Sequence, residues 1–327
     1  LEKMMTETSP PPMPPRRLDL IDAARGLALV AMIVFHFAWD LSTFGVIATK
    51  VSQHLGWRWF AYSIAASFLF LSGVSLVLAH GADVRWDGFF LRLAMVAGGA
   101  LLVTAGTWYL FPETYVVFGI LHHIAVASIL ALPFLRLPAL ITLAAAAGSL
   151  ALPHVVSSHH FEAPWLIWLG LGRSDMASVD WVPVFPWFGW VLAGVAAARL
   201  FRERIAAFGW SASGPFWPKL SLAGRHTLLV YLLHQPALIS IVWLIGKLMS
   251  PAAGDAMTRF EADCVAACTG QGKAQEECVA ACACTRGAVE RDPELFAAIK
   301  ADKLNQLLTL HLTEKARICA RDPSARP

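Results

Sequence analysis

The stretch Leu27–Leu41, LALVAMIVFHFAWDL, decides how the chain is read. Its only ionisable side chains are His36 and Asp40. Extended to residues 20–44, it reaches the roughly 20 apolar residues that a helix needs to cross a bilayer. In a water-soluble helix the two polar residues would mark a solvent face. In a membrane they sit where charge is expensive, face the bundle interior, and mark a pathway or a site.

Composition favours the membrane. Of 327 residues, 57% are hydrophobic and 15% charged, against about a quarter charged in soluble domains. Thirteen Trp suit the interfacial belts of a bilayer. A net charge of +3 and the lack of a basic run with interleaved aromatics argue against a nucleic-acid partner. Residues 1–17 are Pro-rich and polar, a disordered cytoplasmic lead without signal-peptide order. Leu1 is an unusual first residue, and Met4 or Met5 is a candidate start.

Hydropathy predicts an all-α, polytopic membrane bundle of about seven spans, at 20–44, 57–80, 88–111, 115–135, 138–156, 183–201 and 221–248, within a domain covering 18–249. Pro112, Pro138, Pro183, Pro218 and Pro251 lie near span ends, where proline is tolerated. With a cytoplasmic N-terminus, the inner side carries Arg16, Arg17, Arg85, Arg92, Arg136, Arg199, Arg202, Arg204, Lys219 and Arg225. The outer side carries only Lys50, Arg58, Arg173 and Lys247. That bias sets the orientation, and seven spans then put the C-terminus outside. The expected location is a bacterial inner membrane, multi-pass, with a periplasmic C-terminus and the bilayer as partner. Association as a homodimer is left open.

The tail, 250–327, holds all six cysteines. CVAAC occurs at Cys264–Cys268 and again at Cys278–Cys282, separated by a TGQG turn. Cysteines at i and i+4 share a helical face, so a hairpin of two short helices would bridge Cys264–Cys282 and Cys268–Cys278. Cys284 and Cys319 are candidates for a third bridge. A thiolate zinc site is the rival, but an oxidising compartment and no nearby His favour disulfides. No metal is expected, and the tail reads as a small structural cap.

On the first span, turning about 100° per residue, Asp22, Arg25, His36 and Asp40 fall within a sector of about 60°. His36 lies 14 residues after Asp22, roughly 21 Å along the axis. His234 lies 13 residues after Ser221 on the seventh span, roughly 20 Å. His122, entering the fourth span from the other side, comes to a similar depth, whereas His123 points about 100° away from it. Each of these has a bland reading, an interhelical hydrogen bond. The functional reading makes His36 a general base whose tautomer Asp40 holds. Asp22 and Arg25 read either as a simple ion pair with the positive-inside bias or as part of an anion site, since Arg clamps phosphate. Arg225 lies at the matching edge of the seventh span, about 180° round from His234. Ser67, Ser72, Gly73 and Ser75 read as close-packing residues. Trp187 is a candidate site-lining residue.

LDLIDAARGLALVAMIVFHFAWDLSTFG, FLFLSGVSL, FGILHHIAVASIL, VPVFPWFGWVLAG and LAGRHTLLVYLLHQP together resemble the bacterial branch of the heparan-α-glucosaminide N-acetyltransferase family, from about Arg17 to Lys247. The resemblance implies a transmembrane acyltransferase that takes acetyl-CoA as co-substrate from the cytoplasm and acetylates a sugar or glycan acceptor on the other face. Lysosomal members use an Asn near the end of the first span and a His beyond it. His36 stands where that Asn would be, and His54 matches the His when a short gap is allowed. The large lumenal domain of those members has no counterpart. The implied catalytic set is His36, Asp40, His54 and His234, and the implied cofactor-binding set is Asp22, Arg25 and Arg225. A proton-coupled small-molecule transporter is the alternative, since stripes of His and Asp also build relays. No clear internal repeat of the kind transporters carry is visible. A bare membrane anchor for the tail would leave the stripe unexplained.

Overall fold

A computed structural model describes residues 19–47, 49–81, 83–174, 176–201, 204, 212–249, 256–301 and 303–325. The expected lead 1–17, Arg202 and Pro251 lie outside them. Among the described residues the regular structure is helical throughout, with no strand. The chain divides into two compact units, the first ending at Trp243 and the second starting at Leu244.

The first unit contains α1 (Asp19–Thr43), α2 (Leu55–His80), α3 (Trp86–Leu110), α4 (Ile120–Leu130), α5 (Ala139–Val155), α6 (Val184–Leu200), α7 (Trp217–Arg225) and most of α8 (Thr227–Met249). α1, α2, α3 and residues Thr227–Ile245 of α8 are long and apolar enough to cross a membrane. α4, α5 and α6, at 11, 17 and 17 residues, are shorter than the roughly 20 residues a span requires. Leu91, Leu101, Leu102, Tyr109, Leu140 and Leu229 are exposed. Helices that keep their backbone bonds internal while showing apolar side chains outward suit hydrocarbon.

Two of the expected spans differ in detail. The fourth begins five residues late, because the chain before it is tied down in extended form. Thr104 Oγ1 donates to the Val116 carbonyl (2.7 Å) and Val116 N–H to Thr107 Oγ1 (3.0 Å). Val182 N–H donates to the Phe118 carbonyl (3.0 Å). The seventh is two helices. His226 (φ −105°, ψ 32°) leaves helical geometry, its N–H shared between the Leu222 and Ala223 carbonyls, and α8 restarts behind it.

Glycine decides how the helices meet. A Cβ on Gly26 would strike the Leu220 carbonyl, and one on Gly224 the Asp22 carbonyl, so α1 and α7 touch backbone to backbone. The same holds for Gly73 against Val191 and Gly194 against Phe70, where α2 crosses α6. Small residues let apolar helices approach this closely where no water drives them together. Leu29, Leu69, Leu192 and Val195 fill the core between these crossings, each at most 1% exposed.

The second unit holds α9 (Ala256–Thr269), α10 (Gln275–Glu290), α11 (Pro293–Lys300) and α12 (Gln306–Arg321), two helices more than the cysteine spacing predicts. Disulfides join Cys264 to Cys282, Cys268 to Cys278 and Cys284 to Cys319. The first two lock α9 against α10 across a turn in which Gly272 takes φ 82°. Met257, Val289 and Leu295 form a small core. Asp292 and Asn305 cap α11 and α12 by accepting from Leu295 and Leu308 N–H. So small a core needs such staples.

Two outcomes are expected. Gly224→Ala lowers the stability of the detergent-solubilised protein by about 1–3 kcal/mol, as overpacking does. Gly106→Ala, with nothing within 4 Å of the added carbon, is neutral or stabilising by helix propensity. Equal thermal unfolding of both variants contradicts the α1–α7 contact. Non-reducing peptide mapping recovers the three linked cysteine pairs, and free thiols at Cys264, Cys268, Cys278 and Cys282 contradict the hairpin.

Candidate functional site

The polar residues of α1 fall into two groups, one at each end of its buried stripe. At the N-terminal end Asp22 serves two arginines: Arg25 Nη1 at 3.0 Å and Arg225 Nε at 3.2 Å. Arg225 Nη2 also meets Asp19 Oδ1 at 2.8 Å. Arg25 Nη2 donates to the Ser75 hydroxyl on α2. Arg225 and His234 therefore belong to different helices, separated by the break at His226, and the predicted 180° offset along one helix does not apply.

A cavity of about 370 Å³ opens beside this group. Arg25, Arg92, Arg225, Ser75, Leu121 and Tyr231 are among its lining residues. Pockets for small organic ligands run from about 300 to 1,000 Å³. Arg92 and Tyr231 were not singled out as site residues from the sequence. Arg92 reads there as one more inner-side charge, and only the packing of α3 against α4 turns it inward.

The second group lies one helical turn past Tyr231. The rings of His36 and His234 are 5.0 Å apart between centroids. His234 Nδ1 is 2.5 Å from the Tyr231 carbonyl. A carbonyl only accepts, so Nδ1 carries the proton and Nε2 keeps a lone pair. Asp40 is fully buried, and its partner is not His36. Gln235 Nε2 donates to Asp40 Oδ1 at 2.8 Å, because α8 brings its amide against α1 beside His234. His36 Nδ1, His234 Nε2, Asp40 Oδ2 and Gln235 Oε1 are all buried without a protein hydrogen bond. An unsatisfied buried polar group costs about 1–3 kcal/mol, and four together single this cluster out as the candidate site.

The remaining histidines separate from this pair. His54 is exposed at the N-cap of α2, and its side chain caps nothing. His122 sits in the first turn of α4, accepting from Gly119 N–H (3.2 Å) and meeting Thr104 Oγ1 (3.3 Å). α4 starts at Ile120, so the helical rise from residue 115 by which the depth of His122 is reckoned from sequence does not apply. His123 Nδ1 holds the Val182 and Pro183 carbonyls at 3.3 and 3.2 Å, tying α4 to the start of α6. Asp180, in the loop before α6, accepts from Ile120 N–H (3.0 Å) and Tyr231 O–H (3.4 Å). Burial raises its pKa, and those two bonds partly offset the rise. Trp187 packs on Tyr62, with ring centroids 4.6 Å apart.

Guanidinium, hydroxyl and apolar side chains line the cavity together, and the His36–His234 pair stands one helical turn past Tyr231. No curated protein and no solved structure matches the chain. The family described as heparan-alpha-glucosaminide N-acetyltransferase, catalytic, matches residues 17–236, which takes in both polar groups, the cavity and all of α1 to α7, so the chain belongs to that family of acetyltransferases.

Proposed function

We propose that the chain moves an acetyl group from cytoplasmic acetyl-CoA to a sugar or glycan acceptor on the extracytoplasmic side of a bacterial inner membrane. The observation that carries this reading is the order of groups along α1 and α8. Arg25, Arg92, Arg225 and Tyr231 line one cavity, and the His36–His234 pair stands one turn beyond Tyr231. Arg25 and His36 are 11 residues apart on α1, about 16 Å along the helix. An extended pantetheine arm spans a gap of this order.

Acetyl-CoA supplies the thioester carbonyl. An amine or hydroxyl must lose a proton as it attacks, and a positioned imidazole is the side chain that most often takes it. As the new N–C or O–C bond forms, the C–S bond breaks and the CoA sulfur leaves with the electron pair. His36 is assigned as the base. His234, its tautomer held by the Tyr231 carbonyl, offers a second nitrogen lone pair beside it. Asp40 and Gln235 lock the register of α1 against α8 so that the two rings stay together. His54, which the resemblance matches to the catalytic histidine of lysosomal members when a short gap is allowed, is exposed.

Purified His36→Ala is expected to bind acetyl-CoA and to lose transfer by about 10²–10⁴-fold, the range for a lost general base, while His54→Ala keeps most of its turnover. Near-normal turnover by the His36 variant beside a dead His54 variant moves the base to His54. The orientation has its own check. A reporter active only in the periplasm, fused after Pro327, is expected to be active, and activity from a cytoplasm-only reporter reverses the topology.

A further inference from the structure

The three arginines of the cavity are not equivalent. Arg25 and Arg225 share two acids, Asp19 and Asp22, at 2.8–3.2 Å, and two positive charges meet two negative ones. Arg92 lines the same cavity. It makes no ion pair and no hydrogen bond with any described residue, and the charge that acts on it is that of Arg25, a like one. Guanidinium keeps its proton throughout the physiological range. Among the described residues, the cavity thus carries one uncompensated positive charge.

The hydroxyls around it do not change this. Ser72 donates to the Leu69 carbonyl (2.8 Å), Thr227 to the Gly224 carbonyl (2.5 Å) and Tyr231 to Asp180 (3.4 Å). Ser75 donates to the Leu71 carbonyl. Every hydroxyl lining the cavity has spent its proton inside the protein and shows only lone pairs. A ligand oxyanion needs donors, and those of Arg92 are uncommitted. Around it Leu76, Phe89, Leu93 and Val96 are apolar, so little there screens the charge.

We propose that Arg92 is the principal anchor for a phosphate group in this cavity, with Arg25 and Arg225 as lesser contributors already engaged by Asp22 and Asp19. That the phosphate belongs to acetyl-CoA rests on the function proposed above, whereas the anion site itself does not. Removing an unpaired, partly buried charge relieves a desolvation cost. Arg92→Gln is therefore expected to leave the ligand-free protein as stable as the wild type or more so, which a packing or ion-pair role would not do.

The test uses the full chain in detergent, with inorganic pyrophosphate, CoA and pantetheine as probes. Calorimetric titration gives affinities and thermal unfolding gives the ligand-induced shift. Arg92→Gln is expected to weaken pyrophosphate and CoA by about 10-fold or more, equivalent to about 1.4 kcal/mol, with pantetheine unchanged. Arg92→Lys falls between, keeping the charge but losing the planar fork. Arg25→Gln loses less than Arg92→Gln. Wild-type affinity for both anions in Arg92→Gln overturns the proposal, and so does a ligand-free Arg92→Gln that is markedly destabilised or fails to fold. Binding of pyrophosphate that depends on Arg92, without binding of CoA, keeps the anion site and removes the acetyl-CoA reading. Binding of CoA that ignores Arg92 does the reverse, and a wild type that binds neither removes both.

Discussion

The contact of Gly26 with Leu220 and of Gly224 with Asp22 is the constraint on which the site depends. Two helices meet there with no side chain between their backbones. Such an approach fixes the position of α7 on α1 to within a fraction of an ångström, since neither carbonyl can retreat without loss of a helical bond. The ion pairs of Asp19 and Asp22 with Arg225 close over the same contact. Ion pairs that are partly exposed add little by themselves. Here their effect is geometric, holding the last turn of α7 in the rotation that the glycines allow. Once α7 is placed, the break at His226 aims α8 along α1. His234 and Gln235 then arrive beside His36 and Asp40, and the histidine pair follows from a packing event nearly three helical turns away.

How much of this was legible in sequence depends on the range of the interaction. The polar stripe of Asp22, Arg25, His36 and Asp40 was visible because helical periodicity is local and one helix carries it all. The cysteine hairpin was visible for the same reason, i and i+4 spacing twice over, and the structure pairs the cysteines in that pattern. The break in the seventh apolar segment was hidden, because LAGRHTLLVY holds no proline and its Arg225 and His226 read as the polar edge of a single span. What ends α7 is its docking on α1, a tertiary cause. Asp40 illustrates a second limit. Its spacing from His36 pointed to an intrahelical bond, but Gln235 from α8 donates instead, and residues 195 positions apart leave no periodic trace. Arg92 reads in sequence as topology alone, since a lone arginine in FFLRLAMV carries no pattern, and the cavity that it lines is built with residues of five other helices. The same holds for His122 and His123, whose partners Thr104, Val182 and Pro183 lie on other segments.

The two polar ties on α8 also explain why a cavity exists at all. Near its start α8 follows α7, which the glycines hold against α1. One turn past Tyr231 it is held again by the Asp40–Gln235 bond. Between these points its approach to α3 is made by long side chains, Leu228 and Leu232 reaching the open face at Gly99. A helix pinned at two places and spaced by leucines between them cannot close on its neighbours, and the space that remains is the one lined by Arg25, Arg92 and Tyr231.

The two ends of that space have opposite hydrogen-bonding character, and this gives the chemistry its direction. At the arginine end donors are in excess, because guanidinium N–H groups outnumber the acceptors engaged with them. At the histidine end the atoms left over are acceptors: His234 Nε2, whose ring proton is spent on the Tyr231 carbonyl, together with Asp40 Oδ2 and Gln235 Oε1. At the histidine end the leftover atoms are buried, so their imbalance falls to whatever enters. An anion relieves the first. A group that brings protons relieves the second, and in the proposed function the acceptor amine or hydroxyl is that group. Arginines grouped with the histidines would hold the donor's phosphate against the base and exclude the acceptor. With the arginines on α1, α3 and α7 and the histidines further along α1 and α8, the proposed function has the phosphate held by one group and the thioester carried to the other.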